Sequence, residues 1–188
     1  MTTRVIQVHQ VPTITIFVRD SADCPRRGDE WVRALIRLMR YSGLAIRDAV
    51  TLERRELHKG SKGLYRIVTN RQKTGTHVSV PIPPDVAEEV KAAMELNESP
   101  KHMFWNTGTG KPQTAVTNWQ HDLRQVFRAA NQPNGHPHQL RHTFAVNLLQ
   151  RGVPLEEVSK LLGQNRSRQR RSSTRNGSRP DRIVWTIW

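Results

Sequence analysis

GHPHQLRHTFAVNLLQRGVPLEEVSKLLG, residues 135–163, is the best-patterned stretch of the chain. From His138 to Gln150 the apolar residues Leu140, Phe144, Ala145, Leu148 and Leu149 recur at three- and four-residue spacing, which predicts an α-helix with one buried face. Gly152-Val153-Pro154 ends that helix and starts another, Leu155 to Leu162, because glycine accepts a left-handed helix end and proline fits a first turn. The loop Asn134-Gly135-His136-Pro137 lies just ahead. His138, Arg141 and His142 stand at i, i+3 and i+4, so they share one side of the helix at its start.

Upstream, the same periodicity predicts a helix from Glu30 to Tyr41, capped by Asp29, with Val32, Leu35, Ile36 and Met39 inward. Gly43 ends it, and a short helical turn, Ile46 to Leu52, packs Ile46, Val50 and Leu52 on the same core. Two period-two segments, Leu64 to Thr69 and His77 to Ile82, read as a hairpin around the loop Asn70 to Gly75. Pro83 and Pro84 stop the sheet and begin a helix from Asp85 to Leu96, with Val86, Val90, Ala93 and Met94 at core spacing. His102 to Trp105 is a short strand candidate. Thr114 or Thr117 caps a longer helix carrying Trp119, Leu123, Val126, Phe127 and Ala130, closed by Asn131 and Pro133. The expected fold class is α+β, mainly α-helical with a small antiparallel sheet.

The flanks differ. Residues 1–28 are an N-terminal extension, with Ile14, Ile16 and Val18 alternating as in a strand, then a polar break. Residues 29–163 form the patterned domain. From Gln164 to Arg182 there is no aliphatic, aromatic or sulfur residue and there are seven arginines against one aspartate, so residues 164–188 read as a disordered Arg/Ser-rich tail. That tail ends in the apolar, aggregation-prone IVWTIW.

The 188 residues carry 30 Lys+Arg against 16 Asp+Glu, a formal net charge of +14, while 36% hydrophobic content still provides for a core. No run of 18 apolar residues and no secretory leader is present, which argues against a membrane partner and for the cytoplasm. The single cysteine, Cys24, excludes an internal disulfide framework and a multi-cysteine zinc site. The positive charge favours a polyanionic partner, since each phosphate neutralised by Lys or Arg releases condensed counterions.

Three readings of the His138, Arg141, His142 cluster compete. A metal could use the two imidazoles, but no local carboxylate or cysteine completes a ligand set and Arg141 would repel a cation. An anion would find a planar guanidinium fork with a histidine beside it to donate or shuttle a proton. The third is a basic helix end that contacts only solvent. By themselves Lys73 is an exposed hairpin charge and Asp48 a helix-turn carboxylate.

RLMRYSGLAIRDAVTL (residues 37–52), the hairpin stretch RQKTGTHVSVPIP (71–83) and the 135–163 segment, in that order, resemble the catalytic domain of the tyrosine recombinase, or phage integrase, family over about residues 29 to 163. The resemblance implies DNA strand exchange through a covalent 3′-phosphotyrosine, with double-stranded DNA and other recombinase protomers as partners and neither metal nor cofactor. It assigns Arg141 to the second arginine of the phosphate clamp, His138 to the histidine of the same box, Lys73 to the hairpin lysine that protonates the leaving 5′ oxygen, and Asp48 to the acidic residue closing the first box. Arg47 and His142 are additional expected DNA neighbours, His142 through packing or indirect contact.

The pattern is departed from at four places. The first clamp arginine falls at Ala45, with Arg47 two residues on; Gln164 stands where a histidine follows Leu-Leu-Gly; the only tyrosines, Tyr41 and Tyr65, precede the His-Leu-Arg box; and the helical DNA-clamping domain expected ahead of helix one is reduced to residues 1–28. The expectation is a DNA-binding chain that lacks the nucleophile and does not cleave alone, its tail the product of a frameshift after codon 163. The alternative is a non-catalytic nucleic-acid-binding protein that uses its basic tail.

Overall fold

A computed structural model describes residues 29–60 and 63–164; the expected N-terminal strand and Arg/Ser tail lie outside them. Six helices and a three-stranded sheet follow in the order α1 (Asp29–Ser42), α2 (Ile46–Val50), β1 (Leu57–Lys59), β2 (Tyr65–Asn70), β3 (His77–Ile82), α3 (Pro84–Glu95), α4 (Pro112–Ala129), α5 (His138–Gln150) and α6 (Leu155–Leu161), with one 3-10 turn at Arg54–Glu56. The α+β, mainly helical fold expected from periodicity is the observed one.

Trp31, Val32, Leu35, Ile36, Leu38 and Met39 of α1 are buried against α3 and α5, so this helix is the spine of the main core. Trp119 of α4 closes the core from the other side, its ring 5.8 Å from Trp31 and its indole N–H donating to the Phe104 carbonyl at 2.7 Å. A smaller cluster, Val78, Val80, Phe144, Val158 and Leu162, fastens α5 and α6 to the sheet. Gly43 joins the two regions. Its φ of +62° suits glycine, and a Cβ there would lie 2.4 Å from Phe144 Cδ1, so α1 and α5 can approach only over a residue without a side chain.

The sheet is antiparallel in the order β1-β2-β3, with Ile67 paired to Leu57 on one side and to Val80 on the other. Inward residues Tyr65, Ile67 and Thr69 of β2 alternate with exposed Arg66 and Asn70. The hairpin lies within a residue of its expected place, while β1 was not foreseen: three residues with two exposed show no usable period.

Three expectations are corrected. His102–Trp105 forms no strand but a single bridge, His102 to Glu53, because the Asn97 amide nitrogen donates to the His102 and Met103 carbonyls at 2.7 and 3.0 Å and so replaces a strand partner. The long helix begins at Pro112 rather than after a threonine cap. Proline lacks only an N–H that a first turn leaves unpaired, and Thr117 donates back to the Gln113 carbonyl inside the helix. Leu149, expected inward, is 41% exposed, since α5 buries Leu140 and Phe144 and turns Leu149 off that stripe.

Candidate nucleic-acid interface

The site grows from the three places where the chain changes direction: the α1–α2 junction, the β2–β3 loop and the end of α6. Arg141, one turn into α5, reaches two of them. Its Nη1 donates to the Gly43 carbonyl at 2.5 Å and its Nη2 to the Leu162 carbonyl at 2.7 Å. Two of the guanidinium's five N–H groups are thereby used, which fixes its plane and leaves the others for oxygen acceptors.

A second arginine, which sequence reasoning passed over as a polar loop residue, lies beside it. Arg71 is only 4% exposed. Its Nη1 faces Asp48 Oδ2 at 3.3 Å, its Nη2 donates to the Leu161 carbonyl at 3.0 Å, and its Nε has no hydrogen-bond partner. The signal was present in the alternation Tyr65, Ile67, Thr69, which continues inward to position 71. Gly163, with φ +65°, lets the chain pass over this side chain, since a Cβ there would stand 2.7 Å from Arg71 Cγ.

Asp48, buried in α2, binds both the guanidinium of Arg71 and, through Oδ1, the backbone N–H of Gln72 at 2.9 Å. The carboxylate thus holds the root of the loop that carries Lys73. That loop is closed on Arg71 itself, whose N–H donates to Thr76 O at 2.9 Å and whose carbonyl accepts from Gly75 N at 2.7 Å. Lys73 is exposed, as is Arg47, one residue before Asp48 on α2, and Ala45 is the cap residue ahead of that helix. His138 and His142 stack edge to face, ring centroids 5.0 Å apart, next to Arg141 on α5.

Asp48, Arg71 and Arg141 therefore converge, Lys73 sits two residues from Arg71 on the pinned loop, and the imidazoles flank Arg141. Burial, reinforced by the charge of Arg71 and opposed by Asp48, brings the Arg141 pKa down to about 10. Burial also holds Arg71 below the usual arginine value against the pull of Asp48. Two guanidiniums facing one carboxylate form a cluster with unbalanced positive charge, charged at neutral pH and receptive to an anion. Among the described residues no three His, Cys, Asp or Glu side chains are grouped as metal ligands, and no helix is long and apolar enough to cross a membrane.

Burial, then His138, His136 and Arg141, hold His142 below the usual imidazole value. His102 is held low by burial and Lys101, against Glu53 and Glu56. Both rings take up protons more readily in the unfolded chain, so their contribution is complete above about pH 6.5 and is lost as pH falls through that value toward the lower folded ones. The thermal unfolding midpoint should drop between about pH 7.5 and about pH 5.5, ahead of carboxylate protonation; a flat profile there would contradict the burial of these rings.

The same architecture occurs in solved structures. XerH site-specific recombinase bound to difH substrate in a pre-cleavage complex superposes with a TM-score of 0.62 at 20% identity, covering 85% of this chain and 50% of that one. XerA recombinase gives 0.55 at 16%, over 82% of this chain and 65% of that one. Among sequence relatives, tyrosine recombinase XerC of Mesorhizobium japonicum is 29% identical over 131 residues, 69% of this chain and 42% of the relative. Tyrosine recombinase XerD of Ralstonia nicotianae is 30% identical over 137 residues, 70% of this chain and 44% of the relative. The chain spans less than half the length of these curated relatives. A phage integrase family model matches residues 4–171, a span that takes in α1 and its neighbours, the pinned hairpin and the α5–α6 segment alike, and on that match the chain belongs to the phage integrase family.

Proposed function

We propose that this chain binds duplex DNA as the core of a site-specific recombinase catalytic domain, residues 29–163, with a backbone phosphate seated on Arg141. The observation that carries the reading is the unbalanced charge of Arg71 and Arg141 over Asp48, beneath a loop bearing Lys73. Arg141 clamps the non-bridging oxygens with the N–H groups its carbonyl bonds leave over, and Lys73 faces the leaving 5′ oxygen as proton donor. His138 assists proton transfer, His142 and Arg47 flank the phosphate backbone, and Asp48 acts through the loop it holds.

Strand cleavage needs a nucleophile that this sequence does not supply after α5. Tyr65 is buried, its hydroxyl held at 2.5 Å from Glu88 Oε1 and 2.7 Å from Lys91 Nζ, and Tyr41 lies exposed in the last turn of α1, ahead of the His-Leu-Arg box. The chain alone forms no covalent DNA adduct. We assign the chain to the cytoplasm and to a mobile element.

Fluorescence anisotropy of a labelled mixed-sequence duplex tests the reading. Affinity should fall steeply with salt, with a log–log slope near 0.9 for each phosphate contacted, and no detectable binding at about 50 mM salt would overturn it. A nicked suicide duplex should yield no denaturation-resistant complex with this chain alone. The seven arginines of residues 164–188 favour a second reading, in which the tail is the binding element. Deleting 164–188 decides: loss of affinity with little effect of Arg141→Ala would replace the first reading by the second.

A further inference from the structure

The loop that carries Lys73 has few anchors of its own. Its residues 72–75 are exposed, and the bonds from Thr74 and Gly75 both return to the Arg71 carbonyl. What ties the loop to the rest of the molecule is the Arg71 side chain, which spans α2 through Asp48 and the end of α6 through Leu161, together with the Gln72 N–H on the same carboxylate. Arg141 holds the neighbouring α6 carbonyl, that of Leu162. The two guanidiniums thus grip consecutive carbonyls at one helix end. Through that shared end, the position of the Lys73 loop is set relative to Arg141.

We propose that Arg71 is a positioning residue for phosphate engagement: it makes no contact with DNA, and it determines whether Lys73 reaches the phosphate held by Arg141. The inference rests on the reading of Arg141 and Lys73 as phosphate ligands. Burial argues against direct contact. Arg71 is 4% exposed, and a Cβ at Gly163 would stand 2.7 Å from its Cγ and 3.0 Å from its Nε, so the guanidinium lies under the α6 end rather than at the surface. The position left as alanine at residue 45 is therefore not filled by this arginine; the charge of Arg71 is felt at Arg141 without a share in the clamp.

A double-mutant cycle on the full chain tests this, with the salt dependence of affinity for a labelled mixed-sequence duplex as readout. Lys73→Ala should reduce the log–log salt slope by about 0.9, the loss of one phosphate contact. Arg71→Met should reduce it by the same amount, and the double variant by no more than either alone. Arg71→Lys, which restores a cation opposite Asp48, should recover part of the slope. If Lys73→Ala keeps its full effect in the Arg71→Met background, the inference is overturned, whether Arg71 then proves a direct DNA contact or a purely structural residue. Should Arg71→Met not fold, Asp48→Asn serves in the same cycle, because it loosens the guanidinium and keeps side-chain volume. Failure of the parent chain to bind duplex would instead overturn the DNA-binding reading, whereas parental binding with an additive cycle overturns only the role of Arg71.

Discussion

Asp48→Ala is expected to lower the unfolding free energy by about 3–5 kcal/mol, the range for removing one partner of a buried ion pair. The substitution strands the Arg71 guanidinium, 4% exposed, with a single carbonyl acceptor and a second positive charge, Arg141, nearby. It also takes the acceptor from the Gln72 N–H. In a domain of this size the loss corresponds to a fall of roughly 10 °C or more in the midpoint, measurable by thermal or chemical denaturation. Arg71→Met added to Asp48→Ala should return a large part of the stability, because an apolar pair of similar volume carries no uncompensated charge. A loss under about 1 kcal/mol for Asp48→Ala would mean that the pair is solvated and contributes as a surface ion pair does.

Arg141→Ala is expected to weaken duplex binding by about tenfold to a hundredfold, since charge-assisted bonds contribute roughly 1.5–3 kcal/mol each and 1.4 kcal/mol is tenfold. Its effect on stability is a balance. The Gly43 and Leu162 carbonyls lose their donors, while Arg71 is relieved of a like charge and a desolvated cation leaves the interior. Affinity should therefore suffer more than the unfolding free energy. Arg141→Lys restores the charge without the planar fork and cannot hold both carbonyls, so it should regain only part of the binding. Equal affinity for Arg141→Ala and the parent chain would remove Arg141 from the interface.

Much of this was legible because long helices announce themselves by period. The α5 stripe of Leu140 and Phe144, the hairpin alternation and the glycine-proline break at 152–154 all fell where the spacing put them. Arg141 stood out from its helix-face cluster and Asp48 and Lys73 only through the family resemblance, and the structure adds what joins them: carbonyl oxygens of Gly43, Leu161 and Leu162, groups every residue possesses and no sequence distinguishes. Arg71 escaped notice because a charge next to a loop is ordinarily solvated, although strand alternation places it inward. The missing strand at His102 escaped for a related reason, since a side-chain amide took the place of a backbone partner.

The consecutive carbonyls of Leu161 and Leu162, each seized by a different guanidinium, make α6 sensitive to length rather than to composition. Adding or deleting one residue between Pro154 and Leu161 rotates everything beyond it by about 100° and shifts it by about 1.5 Å, so both acceptors move out of phase with their arginines together. Exchanges at the solvent-facing Glu156, Glu157 and Lys160 leave that phase untouched. Natural variation in this segment should thus accumulate as substitutions and be nearly devoid of indels.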